Sequence, residues 1–181
     1  MLLIIDSDKI SEYDLKLMDI DSEHLGIPET TYEAVVTMSS TRFQEICRDL
    51  QTLSDSGMFM SKDIYSILVD WPFSFSWHVV TIECTKEGIK FSSDGEIGKG
   101  AVTLKANSSV DSEDDATVIE LQQSVAMTFS IKYLVNFTKA TPLASRVSLN
   151  LSTDVPLLVD YKLENLGYVR YYLAPKIGDE N

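Results

Sequence analysis

Cysteine is scarce in this 181-residue sequence, which contains only Cys47 and Cys84. They form no Cys-x-x-Cys motif, and neither is spaced from His24 or His78 as zinc ligands are, so the sequence predicts no disulfide framework and no zinc site. Long apolar runs are also lacking: MLLIID reaches an acidic residue at Asp6, too early for a signal peptide, and no later run has membrane-spanning length. We therefore predict a soluble intracellular protein.

Positive charge is scarce as well. Fifteen Lys and Arg residues stand against 28 Asp and Glu residues, which gives a formal net charge of -13. This balance excludes a protein that coats nucleic acid with its whole surface, but a local basic face is still compatible with it.

The usual signatures of catalysis are missing. The sequence contains no GxxxxGK[ST], GxGxxG, HExxH or GxSxG pattern, and DSEDD at 111–115 lacks the glycine and the terminal glutamate of a calcium loop. We therefore predict a protein that is not an enzyme and needs no metal and no cofactor. An acid-dependent hydrolase is the enzymatic alternative, because carboxylates are plentiful.

The order of predicted elements occurs twice along the chain. The first set is a strand at 35–38, an amphipathic helix at 39–53, and strands at 79–84, 89–93 and 101–105. The second set is a strand at 126–129, a short helix at 130–141 that Pro142 ends, and strands at 146–151, 157–163 and 168–174. The pattern predicts an α+β fold of two βαβββ units, with the sheets on one face and both helices on the other.

The second predicted helix carries a polar stripe. Lys132, Asn136 and Lys139 recur at i, i+4 and i+7, and the first helix adds Arg42 and Arg48. The pattern alone favours ordinary solvated lysines over a basic surface that faces a ligand, and both interpretations stay open at this point.

Six strings, in chain order, carry a resemblance to a known family. They are KLMDIDSEHLGIPE, FQEICRDL, TKEGIKFSSDGEIGKG, FTKATPL, DVPLLVDYKL and YYLAPKI. Together they resemble the proliferating cell nuclear antigen (PCNA) family, the eukaryotic DNA sliding clamps, from about Asp8 to the carboxyl terminus. The resemblance implies the DNA-clamp fold and a nuclear homotrimer whose helices line a hole around duplex DNA. It also implies a processivity factor for DNA polymerase and a scaffold for replication and repair proteins.

The resemblance implies a role for the basic stripe. Arg48, Lys132 and Lys139 match positions that face DNA, where they would contact phosphates without reading sequence. Glu45 stands where other members also carry a base, which weakens this lining. Lys86 matches a lysine that ubiquitin or its relatives modify.

The resemblance also implies a groove for short partner peptides that bear a glutamine, an aliphatic residue and paired aromatics. Such peptides belong to the replicative DNA polymerase, the clamp loader, a nuclease and a ligase. The matching residues lie in a connector at 18–33 and in the carboxyl-terminal segment: Leu25, Ile27, Pro28, Tyr32, Pro156, Tyr172, Leu173, Ala174, Pro175 and Lys176. An apolar groove supplies affinity by burying the partner's aromatic side chains.

A third set of positions matches the family's subunit contacts. In the family, the strand that contains Tyr13 pairs with residues 97–105 of the neighbouring subunit. The predicted contact residues of that partner strand are Ile97, Ala101, Thr103 and Lys105.

Two departures from the family pattern change these expectations. Residues 1–17 retain only the last strand of an amino-terminal clamp domain, at about 9–17, so we expect this strand to lack a sheet of its own, and a ring that closes is only one of two alternatives. Residues 34–181 form the carboxyl-terminal domain, with an insertion at about 57–78 that is either a retained non-coding segment or a lineage-specific loop. The alternative function is therefore a partner-binding fragment that cannot close on DNA and modulates the full-length clamp.

Overall fold

The computed structural model of the chain describes residues 2–5, 10–13, 30–55, 78–95, 98–107, 116–153 and 155–176. The chain divides into two compact units, Met1–Thr30 and Thr31–Asn181. The predicted insertion at 57–78 lies outside the described residues except for His78. The described helices include none that is both long enough and apolar enough to cross a membrane.

In the first unit the structure describes one pair of antiparallel strands. Strand β1 (Leu2–Ile5) pairs with β2 (Ile10–Tyr13) in the register Leu2↔Tyr13 to Ile5↔Ile10. The expectation that the strand at 9–17 lacks a sheet partner is therefore wrong for β2. The sequence Leu-Leu-Ile-Ile explains the difference, because apolar and β-branched residues favour strands and the pairing satisfies backbone hydrogen bonds along one edge of β2.

The second compact unit, Thr31–Asn181, confirms the predicted α+β class and contains both predicted βαβββ units. Its elements are β3 (Ala34–Ser39), α1 (Ser40–Asp55), β4 (Val79–Thr85), β5 (Gly88–Asp94), β6 (Lys99–Leu104), β7 (Val118–Leu121), β8 (Val125–Ser130), α2 (Ile131–Phe137), β9 (Arg146–Leu151), β10 (Leu157–Leu163) and β11 (Gly167–Leu173). Strand β7 was not predicted from the sequence, because four residues, VIEL, are too few to show a clear alternation.

The two βαβββ units exchange their first strands. One sheet has the order β11-β10-β9-β3-β7, and the other has the order β6-β5-β4-β8. Strand β3 of the first βαβββ unit thus pairs with β9 of the second, while β8 of the second βαβββ unit pairs with β4 of the first. Each sheet is completed by a strand of the other βαβββ unit, so the duplicated halves fold as one structure.

The second helix ends earlier than predicted. Helix α2 stops at Phe137, and a 3-10 helix, Thr138–Leu143, continues the chain and contains Pro142. The Thr138 hydroxyl donates a hydrogen bond to the Val135 carbonyl oxygen at 2.8 Å. Such local side-chain bonds compete with the regular helical pattern, and a tighter last turn is common at helix ends, which explains why the α-helix ends before the proline.

Helix α1 is held by an apolar side that faces the core. Phe43, Ile46, Cys47 and Leu50 are all buried, and their spacing is that of one face of an α-helix. Phe43 lies 6.3 Å from the Phe91 ring of β5, measured between centroids. Full burial of one such side chain contributes roughly 1.5–3 kcal/mol to folding. The core thus fixes which side of α1 is left to solvent.

Candidate functional site

Three predicted basic residues lie on adjacent helical segments. Arg48 of α1, Lys132 of α2 and Lys139 of the 3-10 helix are exposed, as is Asn136. Helix α1 packs against both α2 and the 3-10 helix, and Gln44 Nε2 donates a hydrogen bond to the Thr138 carbonyl oxygen at 3.2 Å. We call the solvent-exposed sides of α1, α2 and the 3-10 helix the helical surface. Within the described part of the chain, none of its three cations has an ion-pair partner.

The charges on this surface are unevenly distributed. On α1 the exposed Arg48 is flanked by the exposed acids Glu45 and Asp49, whereas no acid occurs in α2 or in the 3-10 helix. Tyr133 is 53% exposed beside Lys132. Because residues three apart are neighbours on a helix, Glu45 lies close enough to oppose the attraction of Arg48 for an anion.

The end of the predicted connector is fixed at Glu33. Its carboxylate oxygen Oε2 accepts hydrogen bonds from the Thr153 backbone N–H at 2.9 Å and from the Thr153 hydroxyl at 3.0 Å. Its carbonyl oxygen accepts the N–H groups of Gln122 and Gln123. Glu33 therefore ties the chain to the β9–β10 connection and to the β7–β8 connection, which positions Tyr32 immediately before it.

Tyr32 lies beside strand β11. It is half-buried, and this burial, followed by the neighbouring Tyr172 phenol, raises the pKa of Tyr32, while the positive charge of Arg170 acts in the opposite direction. The structure thus brings together Tyr32 and Tyr172, two of the residues predicted for the peptide groove. Leu25, Ile27 and Pro28 of that prediction lie outside the described residues.

The carboxyl-terminal segment continues from the same strand. Its Lys176 N–H donates a 2.8 Å hydrogen bond to the Thr128 carbonyl oxygen of β8, and burial lowers the pKa of the Lys176 amine. Ala174 is exposed and Pro175 is partly exposed. The backbone at Lys176 therefore binds the open edge of β8. Strand β7 occupies the corresponding edge of the other sheet, next to β3.

The two other predicted groove residues have different surroundings. Pro156 is exposed and precedes Leu157, whose cross-strand partner is Leu173. The Leu173 side chain, however, packs against the core, on the face of β11 opposite to Tyr172. On the face that carries Tyr172, Leu173 can therefore offer a partner only its backbone.

The predicted subunit contacts lie on an edge strand. Ala101 and Thr103 of β6 are exposed, and Lys105 follows them, also exposed. In the described structure β6 has one neighbour, β5, so its other edge presents unpaired backbone groups. Ile97 lies outside the described residues, and Tyr13 is the last residue of β2 in the first unit.

Lys86 is exposed in the turn between β4 and β5. The turn is constrained by Gly88, which has a φ of +151° and sits so close to the Leu104 carbonyl oxygen that a Cβ would collide with it. The Glu87 N–H also bonds the Thr85 hydroxyl at 3.2 Å. The Lys86 side chain is therefore presented to solvent from a defined turn.

Sequence reasoning missed two features near Tyr172. One is the Glu33–Thr153 contact, which joins residues 120 positions apart and has no local signal. The other is the contact of Arg170 with Asp160 and Tyr168. The signal for the second was available, because Tyr168, Arg170 and Tyr172 alternate along one strand. Among the described residues, no cluster of His, Cys, Asp and Glu is placed to hold a metal ion.

Comparison with known proteins gives the family. A family model described as "Proliferating cell nuclear antigen, C-terminal domain" matches residues 26–68 and 71–176, and the break falls inside the predicted insertion. The "Proliferating cell nuclear antigen" of Chaetomium thermophilum is 49% identical over 175 residues, which cover 97% of this chain and 59% of that relative. The chain thus spans less than two thirds of the relative's length. The extent of both matches shows that the chain belongs to the proliferating cell nuclear antigen family.

Proposed function

We propose that this chain acts in the nucleus as a subunit of a DNA sliding clamp. In this role it keeps a DNA polymerase on duplex DNA as a processivity factor, and it serves replication and repair proteins as a scaffold without catalysing a reaction. The observation that carries the proposal is the placement of three exposed cations, Arg48, Lys132 and Lys139, on adjacent helical segments of an otherwise acidic protein.

The proposed contact with DNA is electrostatic. Lys and Arg side chains that reach phosphates release counterions, and the affinity does not depend on base sequence, as a sliding protein requires. The absence of ion-pair partners for the three cations within the described residues leaves their charge available for this purpose. The net charge of -13 keeps DNA away from the rest of the surface.

The test is a salt titration of duplex-DNA binding with the full chain. Lys139→Glu should lower the affinity and reduce the slope of log affinity against log salt by about 1, because one phosphate contact is lost. Lys86→Glu makes the same charge change at an exposed turn away from the helices and should leave the slope unchanged. Equal losses in both variants would show only a general charge effect and would contradict the proposal.

Partner proteins are proposed to bind through the peptide groove. A glutamine, an aliphatic residue and paired aromatics would meet the apolar surface of Tyr32, Tyr172 and Pro175. The polymerase, clamp loader, nuclease and ligase of replication are the expected carriers of such peptides. Burial of their aromatic side chains would supply most of the affinity.

Assembly and modification complete the proposal. The open edge of β6 is proposed to pair with a β2 strand of a second copy, as in a homotrimeric ring. Light scattering on the purified chain tests this, and a monomer at high concentration would contradict it.

Lys86 is proposed to accept ubiquitin or a related modifier, and a conjugation assay in which Lys86→Arg gives as much product as the parent would contradict that assignment.

A further inference from the structure

Three side chains form a row on the outward face of β11. Tyr168, Arg170 and Tyr172 are alternate residues of the strand, so their side chains point to the same side. The residues between them and after them pack against the core, which places the row on the other face. Their cross-strand partners on β10 are, in the same order, Lys162, Asp160 and Leu158.

Contacts run along the whole row. Arg170 Nε donates to Asp160 Oδ2 at 3.2 Å, and the guanidinium carbon lies 4.0 Å from the centroid of the Tyr168 ring. At the other end, Tyr32 is near enough to Tyr172 and Arg170 for the charges of both to influence its pKa. Tyr168 therefore contacts Arg170, which lies between Tyr168 and Tyr172 on the same face of the strand.

The far end of the row exposes apolar area. Tyr168 is 60% exposed, and Leu166, in the β10–β11 turn, is 90% exposed. The turn is defined by the Leu166 N–H bond to the Leu163 carbonyl oxygen and by Gly167, which has a φ of +118°. A side chain held out to solvent by a fixed turn is available for contact at little cost in ordering.

The charges beside the row are mixed. Asp160 is buried and its carboxylate neutralises Arg170, whereas Lys162 and Glu164 are both exposed and have no ion-pair partner among the described residues. Lys162 is the cross-strand partner of Tyr168, so at this position an apolar surface with a cation beside it complements an apolar or aromatic side chain followed by a carboxylate.

We propose that this row extends the peptide groove and binds the flank of the same partner peptide. An apolar or aromatic side chain of the flank would contact Tyr168 and Leu166, and a neighbouring carboxylate would pair with Lys162. The inference rests on the proposed function, because the peptide must first occupy the groove at Tyr32 and Tyr172. Tyr168 lies four positions before Tyr172 on the strand, a rise of about 13 Å, so a flank of about four extended residues spans the distance.

The experiment measures affinities of labelled peptides for the full chain by fluorescence anisotropy. The core peptide carries the glutamine, the aliphatic residue and the paired aromatics. Two longer peptides add four residues with a tryptophan and an aspartate, one at the amino end and one at the carboxyl end. We expect one of the two longer peptides to bind about tenfold tighter than the core peptide, the effect of burying one large apolar side chain.

Variants assign the gain to the row. Tyr168→Ala should abolish the tenfold gain and leave the affinity for the core peptide unchanged. Lys162→Gln should keep part of the gain and remove its dependence on salt. Leu143→Ala is the matched control, because Leu143 is 57% exposed on the 3-10 helix, and this variant should retain the full gain.

The outcomes separate the two hypotheses. If the core peptide binds and Tyr172→Ala weakens it, but neither longer peptide binds tighter, the extension is wrong and the groove stands. If the core peptide does not bind, or Tyr172→Ala leaves its affinity unchanged, the groove itself is wrong and the extension falls with it. If Tyr168→Ala changes the mass of the assembly in light scattering and not the peptide affinity, the row is a contact between copies, which also overturns the inference.

Discussion

The two helices occupy equivalent places in the duplicated βαβββ units, yet their exposed sides differ. Helix α1 is 16 residues long and exposes Arg48 between Glu45 and Asp49, whereas the 7-residue α2 and its 3-10 extension expose Lys132 and Lys139 with no acid. The buried sides differ as well: α1 contributes four residues to the core, whereas α2 contributes two. The comparison teaches that α1 contributes more to stability, and α2 more to the attraction of an anion.

The largest effect expected from this comparison is on stability. Phe43→Ala removes a fully buried ring that packs near Phe91, so the free energy of unfolding should fall by about 3–5 kcal/mol. Tyr133→Ala, on the exposed side of α2, should change it by less than about 0.5 kcal/mol. Urea denaturation followed by circular dichroism measures both values, and similar losses in the two variants would remove the proposed difference between the helices.

A smaller effect is expected on DNA binding. Lys132→Glu should reduce the slope of log affinity against log salt by about 1, and Arg48→Glu should reduce it by less than about half of that, because Glu45 and Asp49 already oppose the Arg48 charge. Both variants reverse one positive charge, so each controls for the other. A larger change for Arg48→Glu than for Lys132→Glu would reverse the assignment of roles.

The smallest effect is expected at Glu45. Glu45→Gln removes a negative charge near Arg48 without a change in side-chain size, and DNA affinity at low salt should rise by about two- to fivefold. Glu120→Gln provides the same chemical change on the exposed edge strand β7, away from the helices. The comparison of α1 with α2 would lose its electrostatic basis if both variants gave the same affinity as the parent.

Local patterns predicted most of the elements but not their arrangement. Phe43, Ile46, Cys47 and Leu50 have helical spacing and are buried as that spacing requires. The exchange of β3 and β8 could not be predicted from periodicity, because a register such as Val36↔Leu149 joins residues far apart in sequence. Strand β7 was missed because its four residues are too few to show a clear alternation.

For the candidate site, too, the sequence indicated the residues but not the contacts that orient them. The resemblance to the family predicted that Tyr32 and Tyr172 belong to one groove, and in the structure Tyr172 is near enough to Tyr32 to raise its pKa. The roles of Glu33 and Arg170 depend on contacts with Thr153 and Asp160, which only the folded chain reveals. A side chain's type can be read from the sequence, whereas the partner that orients it is set by tertiary structure.

The exchange of first strands has a consequence for cooperativity. A chain that ended before β8 would leave one edge of β4 open, and a chain that began after β3 would leave the same defect at β9, so neither half can complete its own sheet. Amide hydrogen exchange in the two sheets should therefore report one common opening event instead of two separate ones. Deleting either βαβββ unit would therefore also remove a strand from the sheet that the other unit needs.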